Sequence, residues 1–401
     1  MKPLYSLPVT GYLIYRSYTH NSLTPLGILT AALTALLHSS HPSALPFSLL
    51  VVFFLAGTRA TKVKHDVKSR YTLSSTGSSS SPPYSAAQRG GGGGGGGGGG
   101  EPRTHVQVLA NSGVASFLLL VHLYRINLTT PSSWSAGHAR VQAAAEEEGC
   151  VPTTGSVQGL LLAGIVANYA AVAADTFSSE LGILAGNAPR LITRPWVRVP
   201  RGTNGGVTAA GLAAGVLGAL IIAVASTLVM PFCGASQTGR LGPVGRVLMA
   251  EEKVETYRGW TLTDKLIWIL AVTGWGALGS VLDSLFGAIL QASVVDRRTG
   301  KIVEGAGGEK VLVSSRGKGK TAKRELVHSE RNRDEAMRER KGADVDGSDV
   351  SAVQEESRSV LVGMDWLDNN QINLLMAACM GFGGVALASW YWGIPLSRLW
   401  T

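Results

Sequence analysis

Three acidic residues interrupt segments of the chain that are otherwise long and apolar. Asp175 and Glu180 end the apolar segment Val157–Glu180, and Asp283 lies two turns before the end of the segment Leu266–Gln291. An aspartate at the centre of a membrane helix costs about 2.5–3.5 kcal/mol on insertion scales, so such residues usually have a function. A structural hydrogen bond or a partner arginine is the simpler explanation, but we favour a site that binds a metal ion or a proton.

A glycine-rich turn leads into the next apolar segment, Gly206–Pro231. Backbone N–H groups and the positive end of the helix dipole make such a junction a binding site for anions. A topogenic signal and a helix cap would explain the arginines nearby, but they explain the Thr-Asn-Gly-Gly sequence less well. We therefore predict an anion site. Its residues are Arg190, Arg201, Gly202, Thr203, Asn204, Gly205 and Gly206.

A third polar group, Asp368, Asn369 and Asn370, precedes the last apolar segment, Ile372–Trp392. Asp368 could simply cap that helix. However, this group, the acidic residues and the glycine turn lie at the ends of four different segments, and all of these ends are predicted to lie on the same side of the membrane. Polar residues placed at random would divide between both ends, so the clustering predicts a single site.

The segments that position these residues are long enough to cross a membrane, which takes about 20 residues of helix, with a range of about 17–25. Two shorter segments near the start read as a helical hairpin, and Leu4–Tyr15 reads as an interfacial segment. The sequence predicts an all-α polytopic membrane protein with seven spans. These are Thr24–His38, Ala44–Thr58, Val106–Tyr124, Val157–Glu180, Gly206–Pro231, Leu266–Gln291 and Ile372–Trp392.

The composition supports a membrane protein and argues against a soluble enzyme. Charged residues make up 16% of the 401 residues, against about 25% in a typical soluble domain. Residues 293–370 hold 30 of the 63 charges, so the remaining 323 residues have too few to cover a soluble surface. The net charge of +9 comes mainly from basic residues beside apolar segments. Membrane topology explains this pattern better than nucleic-acid binding.

The loops predict an orientation and an organisation. Positive charge is concentrated in loops 59–105, 187–205 and 292–371, which places them and the N-terminus in the cytoplasm. We expect an endomembrane location. Stripes of small residues, such as Gly276 and Gly279, predict close helix packing.

The chain divides into five predicted parts. Residues 1–64 form a membrane hairpin, and residues 65–104 a disordered Ser/Gly-rich insertion. Residues 105–304 form the membrane core, which ends in a short β-hairpin over Ser293–Glu304. Residues 305–360 form a charged cytoplasmic insertion, and residues 361–401 the last span and the C-terminus. Residues 314–321 resemble a phosphate loop, but Ser314 stands where the pattern requires glycine, so we assign no nucleotide site there.

Several motifs together resemble one family. They lie in Ala174–Leu184 (ADTFSSELGIL), Val199–Gly211 (VPRGTNGGVTAAG), Gly276–Gln291 (GALGSVLDSLFGAILQ) and Asp368–Leu375 (DNNQINLL). In these segments, and over most of the chain except residues 65–101 and 305–358, the sequence is similar to the transmembrane protein 19 family, also called the domain of unknown function 92.

A plant member of that family is regarded as a phytyl-phosphate kinase. The resemblance implies an isoprenoid phosphate as substrate, a nucleoside triphosphate as donor, and Mg²⁺ held by Asp175, Glu180 and Asp283 as catalytic and metal-binding residues. It also implies that the glycine turn binds phosphate together with Arg190 and Arg201.

Two other classes of function remain open. A transporter or channel would use the carboxylates to bind a coupling ion, and would place charged residues near both faces and contain inverted repeats. A structural or regulatory membrane protein would use the charged insertion for docking and would not need Asp175.

Overall fold

A computed structural model describes residues 3–68, 70–74, 102–129, 151–152, 157–229, 232–235, 257–311, 313 and 358–399. We number the α-helices of these residues in chain order. They are α1 (Pro3–Thr19), α2 (Pro25–Ser39), α3 (Leu45–Lys62), α4 (His65–Lys68), α5 (His105–Thr129), α6 (Val157–Gly182), α7 (Ala209–Val229), α8 (Leu262–Leu290) and α9 (Asn369–Trp392).

Six of the described helices are long and apolar enough to span a membrane: α3, α5, α6, α7, α8 and α9. The first predicted span forms α2, which has 15 residues and is therefore about 22 Å long at 1.5 Å per residue. It is shorter than a hydrocarbon layer of about 30 Å. The prediction of a helical polytopic membrane protein is confirmed.

Helix α6 is the centre of the bundle, and its residues from Gly159 to Ala174 are buried on every side. Helices α3, α5, α7, α8 and α9 pack around it. Small residues make this possible: a methyl group on Gly276 of α8 would lie 2.9 Å from the Ala170 carbonyl carbon of α6. The small-residue stripes therefore serve as packing surfaces, where close contact stabilises helices that gain little from apolar burial in lipid.

Short strands gather at both ends of the bundle. At one end, β1 (Thr72–Ser74), β8 (Ser293–Asp296), β9 (Ile302–Glu304) and β10 (Arg358–Val362) form a sheet in the order β1-β9-β8-β10. A second sheet at that end has the order β4-β3-β5, from β3 (Arg190–Leu191), β4 (Arg194–Arg198) and β5 (Gly206–Val207). At the other end, β2 (Val151–Pro152), β6 (Phe232–Ala235) and β7 (Tyr257–Gly259) pair in the order β2-β6-β7. The predicted hairpin over Ser293–Glu304 is confirmed, since β8 and β9 pair antiparallel.

Parts of the three basic loops meet at the end that carries the first two sheets, which we call the site end. The Asn204 backbone N–H donates to the Ser293 hydroxyl at 2.9 Å, and the Arg201 guanidinium lies 4.3 Å above the Tyr71 ring. The face of the membrane to which this end belongs remains a prediction. The glycine run at 90–100, the phosphate-loop-like segment at 314–321 and most of the charged insertion lie outside the described residues.

Candidate functional site

The centre of the candidate site is the pair of carboxyl groups of Asp175 in α6 and Asp283 in α8, whose side chains lie close enough to interact directly. Gly279, one turn before Asp283, packs so tightly on α6 that an added methyl group would lie 3.0 Å from the Ala171 Cα. This close crossing brings the two acidic side chains together. Both residues are half-buried.

The pair leaves polar atoms without protein partners. Among the described residues, the buried Asp283 Oδ1 has no hydrogen-bond partner, and neither has the Ser280 hydroxyl one turn away. Two carboxylates this close repel each other unless a proton or a cation lies between them. The arrangement can therefore share a proton or bind a cation.

The third predicted acid, Glu180, has a different environment. Its Oε2 accepts a hydrogen bond from the Lys68 Nζ at 2.7 Å. The Lys68 ammonium also donates to the backbone carbonyls of Ala60 at 2.9 Å and Thr61 at 3.0 Å, and so joins the end of α3 to α6. The structure thus pairs Glu180 with a lysine rather than with the two aspartates.

A second cation, Arg103, lies beside this ion pair. Its Nη2 donates to the Thr61 hydroxyl. Burial lowers the pKa of the Arg103 guanidinium, and the negative charge of Glu180 raises it, but arginine remains protonated at physiological pH. Arg103 and Lys68 therefore add two positive charges next to one glutamate.

The basic cluster and the carboxyl pair are neighbours. A methyl group on Gly57 of α3 would lie 3.6 Å from the Thr176 methyl group and 3.9 Å from Arg103 Nη1, and Thr176 follows Asp175 in α6. In the sequence, Lys68 and Arg103 stand out only as basic residues of loop 59–105. Nothing in the spacing of these two residues links them to Glu180.

The glycine turn packs directly on the helix that carries Asp283. Gly205 has a φ of 73°, and a methyl group there would overlap Ala288 and lie 2.7 Å from the Ser284 carbonyl oxygen. Glycine is thus required for both the left-handed backbone and the close approach to α8. The structure brings Asp175, Asp283 and Gly205 to one end of the bundle, as predicted.

The turn differs from a simple phosphate cradle in its hydrogen bonding. The backbone N–H groups of Thr203, Asn204 and Gly206 already donate to Pro200, Ser293 and Thr203 respectively. In addition, β5 and Thr208 separate the turn from α7, whereas the sequence suggested a direct junction. The binding of phosphate by this backbone stays a prediction.

The two candidate arginines contact backbone carbonyls. Arg190 Nη1 donates to the Pro195 carbonyl at 2.8 Å, and Arg201 Nη2 donates to the Gly186 carbonyl at 3.0 Å. Arg201 thereby closes the loop that follows α6. Phosphate binding by these two arginines stays a prediction.

The group before the last span begins α9. Asp368 is the N-cap residue, since its side chain accepts a hydrogen bond from the Gln371 backbone N–H at 2.8 Å. This is the simpler of the two explanations given above. Asn369 is the first residue of the helix. The Asn370 side chain donates to the Gly307 carbonyl at 2.9 Å, while its buried Oδ1 has no partner among the described residues.

The fit of Mg²⁺ can be judged from the donor set. Within the described residues, no group of three His, Cys, Asp or Glu side chains could hold a metal ion, so the predicted three-carboxylate set does not assemble. Asp175 and Asp283, with one orphaned buried oxygen, do fit Mg²⁺, because proteins usually bind it through one or two carboxylates plus substrate phosphates. These two residues would hold the ion.

A set of buried histidines escaped the sequence analysis. The Tyr169 hydroxyl of α6 lies 2.7 Å from His38 Nε2, and His41 Nε2 lies 3.1 Å from His122 Nδ1. Burial and, to a lesser extent, His122 lower the pKa of His41 well below its usual value. The signal for this cluster was the placement of histidines at the ends of apolar segments.

Known relatives agree with this picture of a membrane protein. The profile of the family described as integral membrane protein DUF92 matches residues 8–381. Over 212 residues, 53% of this chain, the sequence is 31% identical to Protein PGR of Arabidopsis thaliana. Over 130 residues, 32% of this chain, it is 35% identical to an uncharacterized membrane protein of Methanocaldococcus jannaschii. The chain spans 59% and 40% of the lengths of these relatives. No solved structure matches it.

Proposed function

The chain belongs to the integral membrane family DUF92, and on this premise we propose that it is a kinase of an isoprenoid lipid monophosphate, with a nucleoside triphosphate as donor. The observation that carries the proposal is the contact between Asp175 and Asp283. It places two acids beside a basic cluster at one end of a membrane bundle. Transfer of a phosphoryl group from a nucleotide to a lipid phosphate depends on charged groups that are positioned near the membrane surface.

The reaction has a simple balance. An oxygen of the lipid phosphate forms a bond to the γ-phosphorus, the bond from that phosphorus to the bridging oxygen breaks, and the nucleoside diphosphate leaves with the electron pair. Mg²⁺, when bound by Asp175 and Asp283, supplies charge neutralisation at the phosphates. Catalysis of this kind depends mainly on positioning and on stabilising negative charge.

The protein supplies the remaining charge. Arg103 would orient the lipid phosphate, and the Lys68–Glu180 ion pair, at 2.7 Å, fixes the end of α3 to α6 beside it. The glycine turn would contribute to the nucleotide side, where Arg190 and Arg201 add positive charge. We propose no specific hydrogen bond between this turn and a phosphate.

The test is a transfer assay with the purified full chain in detergent. Labelled nucleoside triphosphate, Mg²⁺ and either phytyl or farnesyl phosphate are supplied, and the lipid diphosphate is measured. We expect transfer by the wild type and its loss in Asp175→Asn and Asp283→Asn. Asp365→Asn is the matched control, because Asp365 is an exposed acid whose carboxylate pairs only loosely with Lys310 at 3.3 Å.

A transporter is the second candidate, and the buried histidine cluster favours it. His38, His41 and His122 are all less than 4% exposed and lie away from the carboxyl pair, as expected for polar groups along a path. Reconstitution in liposomes with a pH-sensitive dye tests this function. Proton or lipid movement that requires His38 but no nucleotide would favour the transporter over the kinase.

A further inference from the structure

A second feature of the site end is a cavity inside the helical hairpin region. It lies between α1, α2, α3 and α5 and has a cavity volume of about 80 Å³, with further space that is open to the surroundings. Most of its wall is aliphatic or aromatic. Representative lining residues are Leu13, Ile28, Ala31, Leu50, Phe54 and Val108.

The cavity is elongated along the helices. Its lining on the α2 side runs from Leu23, beside the start of α2, to Ala35 near the end of that helix. The helical part of this stretch, from Pro25 to Ala35, is about 15 Å long at 1.5 Å per residue. The cavity is therefore about as deep as one leaflet of the hydrocarbon layer, which is about 15 Å.

The cavity has a charged end. Arg103 and Gln107 line it where α5 begins, and the Leu23 backbone forms a bridge with Arg103. Arg103 can donate five hydrogen bonds, and the Thr61 hydroxyl is one side-chain acceptor that it contacts. Lys68 also donates to Thr61, so two cations lie near this end.

Several polar side chains also line the cavity, among them Thr10, Thr34 and Asn111. The Thr10 hydroxyl of α1 is buried and has no hydrogen-bond partner among the described residues, and Thr10 is only 6% exposed. Because a hydrocarbon chain offers this hydroxyl no hydrogen bond, the choice of occupant rests on Arg103.

We propose that this cavity holds the single hydrocarbon chain of the lipid monophosphate, with its phosphate at Arg103. The inference rests on the proposed function and names the acceptor subsite of the same site. Charge complementarity decides the occupant, because an apolar channel that ends at a guanidinium matches a chain that ends in a phosphate.

The position of the subsite is compatible with transfer. Arg103 lies next to Gly57, Gly57 lies next to Thr176, and Thr176 follows Asp175. A phosphate at Arg103 would thus be a short distance from the carboxyl pair. The chain would run away from the reacting atoms into the bundle.

A larger groove elsewhere serves as the control. It is lined by Trp260, Trp268, Trp275 and Trp392 and has a cavity volume of about 470 Å³, and the described residues of its lining include no lysine or arginine. It lies beside the first half of α8, away from Asp283. It lacks the positive charge that would select a lipid phosphate.

The experiment measures binding of farnesyl phosphate to the full chain by native mass spectrometry, without nucleotide. Ala31→Trp fills the proposed cavity, and Ala271→Trp places the same side chain in the control groove. We expect Ala31→Trp to weaken binding by about ten-fold or more, and Ala271→Trp to leave it within about two-fold. Arg103→Gln should weaken binding of farnesyl phosphate but not of farnesol, and Arg103→Lys should restore part of it.

A measurement on the wild type guards against misfolded variants. A farnesyl phosphate analogue with a photoreactive chain should label peptides within residues 23–35 and 50–54. Labelling of residues 260–275 instead, or unchanged binding by Ala31→Trp, would overturn the inference. The proposed function can fail separately. If farnesyl phosphate binds as expected but neither the wild type nor any variant transfers phosphate, the kinase function is refuted and the binding subsite is retained.

Discussion

Helix α6 carries two acids, five residues apart, in opposite electrostatic situations. Glu180 has a lysine ammonium at 2.7 Å, so the protein itself balances its charge. Asp175 faces another carboxyl group, that of Asp283. An ion pair within the protein therefore has a structural role. The negative charge of two facing carboxyl groups, in contrast, must be balanced by a bound ligand or by a proton.

The largest expected effect comes from the carboxyl pair. Asp283→Asn should lower lipid-phosphate transfer by more than about 100-fold, since even outer-shell residues of metal sites cost about 10–100-fold. It should also abolish the thermal shift produced by Mg²⁺ with nucleotide. If Asp283→Asn were as active as the wild type, the carboxyl pair would have no catalytic role, and the distinction between Asp175 and Glu180 would be wrong.

The ion pair should instead affect stability. Lys68→Met removes the cation from a partly buried carboxylate, and we expect a loss of about 2 kcal/mol in the free energy of unfolding, less than the 3–5 kcal/mol of fully buried pairs. The matched double variant, Lys68→Met with Glu180→Leu, should recover most of that loss. Thermal unfolding in detergent measures both, and a double variant as unstable as Lys68→Met would contradict the assignment.

The glycine turn sharpens the comparison further. Gly205→Ala introduces a methyl group at a φ of 73°, a conformation that by itself costs a non-glycine residue of order 1–3 kcal/mol, and the overlap with Ala288 and the Ser284 carbonyl adds to that cost. The lower melting temperature should be accompanied by weaker nucleotide binding if the turn supports that side of the site. Gly300→Ala is the control, because Gly300 also has a positive φ but an added methyl group there would meet no other atom within 4 Å.

The smallest effect is expected at the exposed ion pair of the same end. Asp365→Asn removes a carboxylate that is 62% exposed and lies 3.3 Å from Lys310. Exposed pairs contribute about 0–1 kcal/mol, so stability should change by less than about 0.5 kcal/mol. A loss as large as that of Lys68→Met would show that burial does not separate the two ion pairs.

The sequence alone determined six of the seven predicted spans, the small-residue packing stripes and the end of the bundle at which the acids gather. These features depend on local patterns: apolar runs of sufficient length, glycines three or four residues apart, and charge beside the ends of helices. Asp175, Asp283 and Gly205 could be placed at one end on that basis.

Only the tertiary structure decided which acid meets which group. Lys68 and Glu180 are 112 residues apart, and Arg103 contacts a threonine 42 residues earlier. No local pattern encodes such pairs, because they depend on how helices cross. The crossing at Gly279 sets Asp283 against Asp175, and the approach of α3 gives Glu180 its lysine.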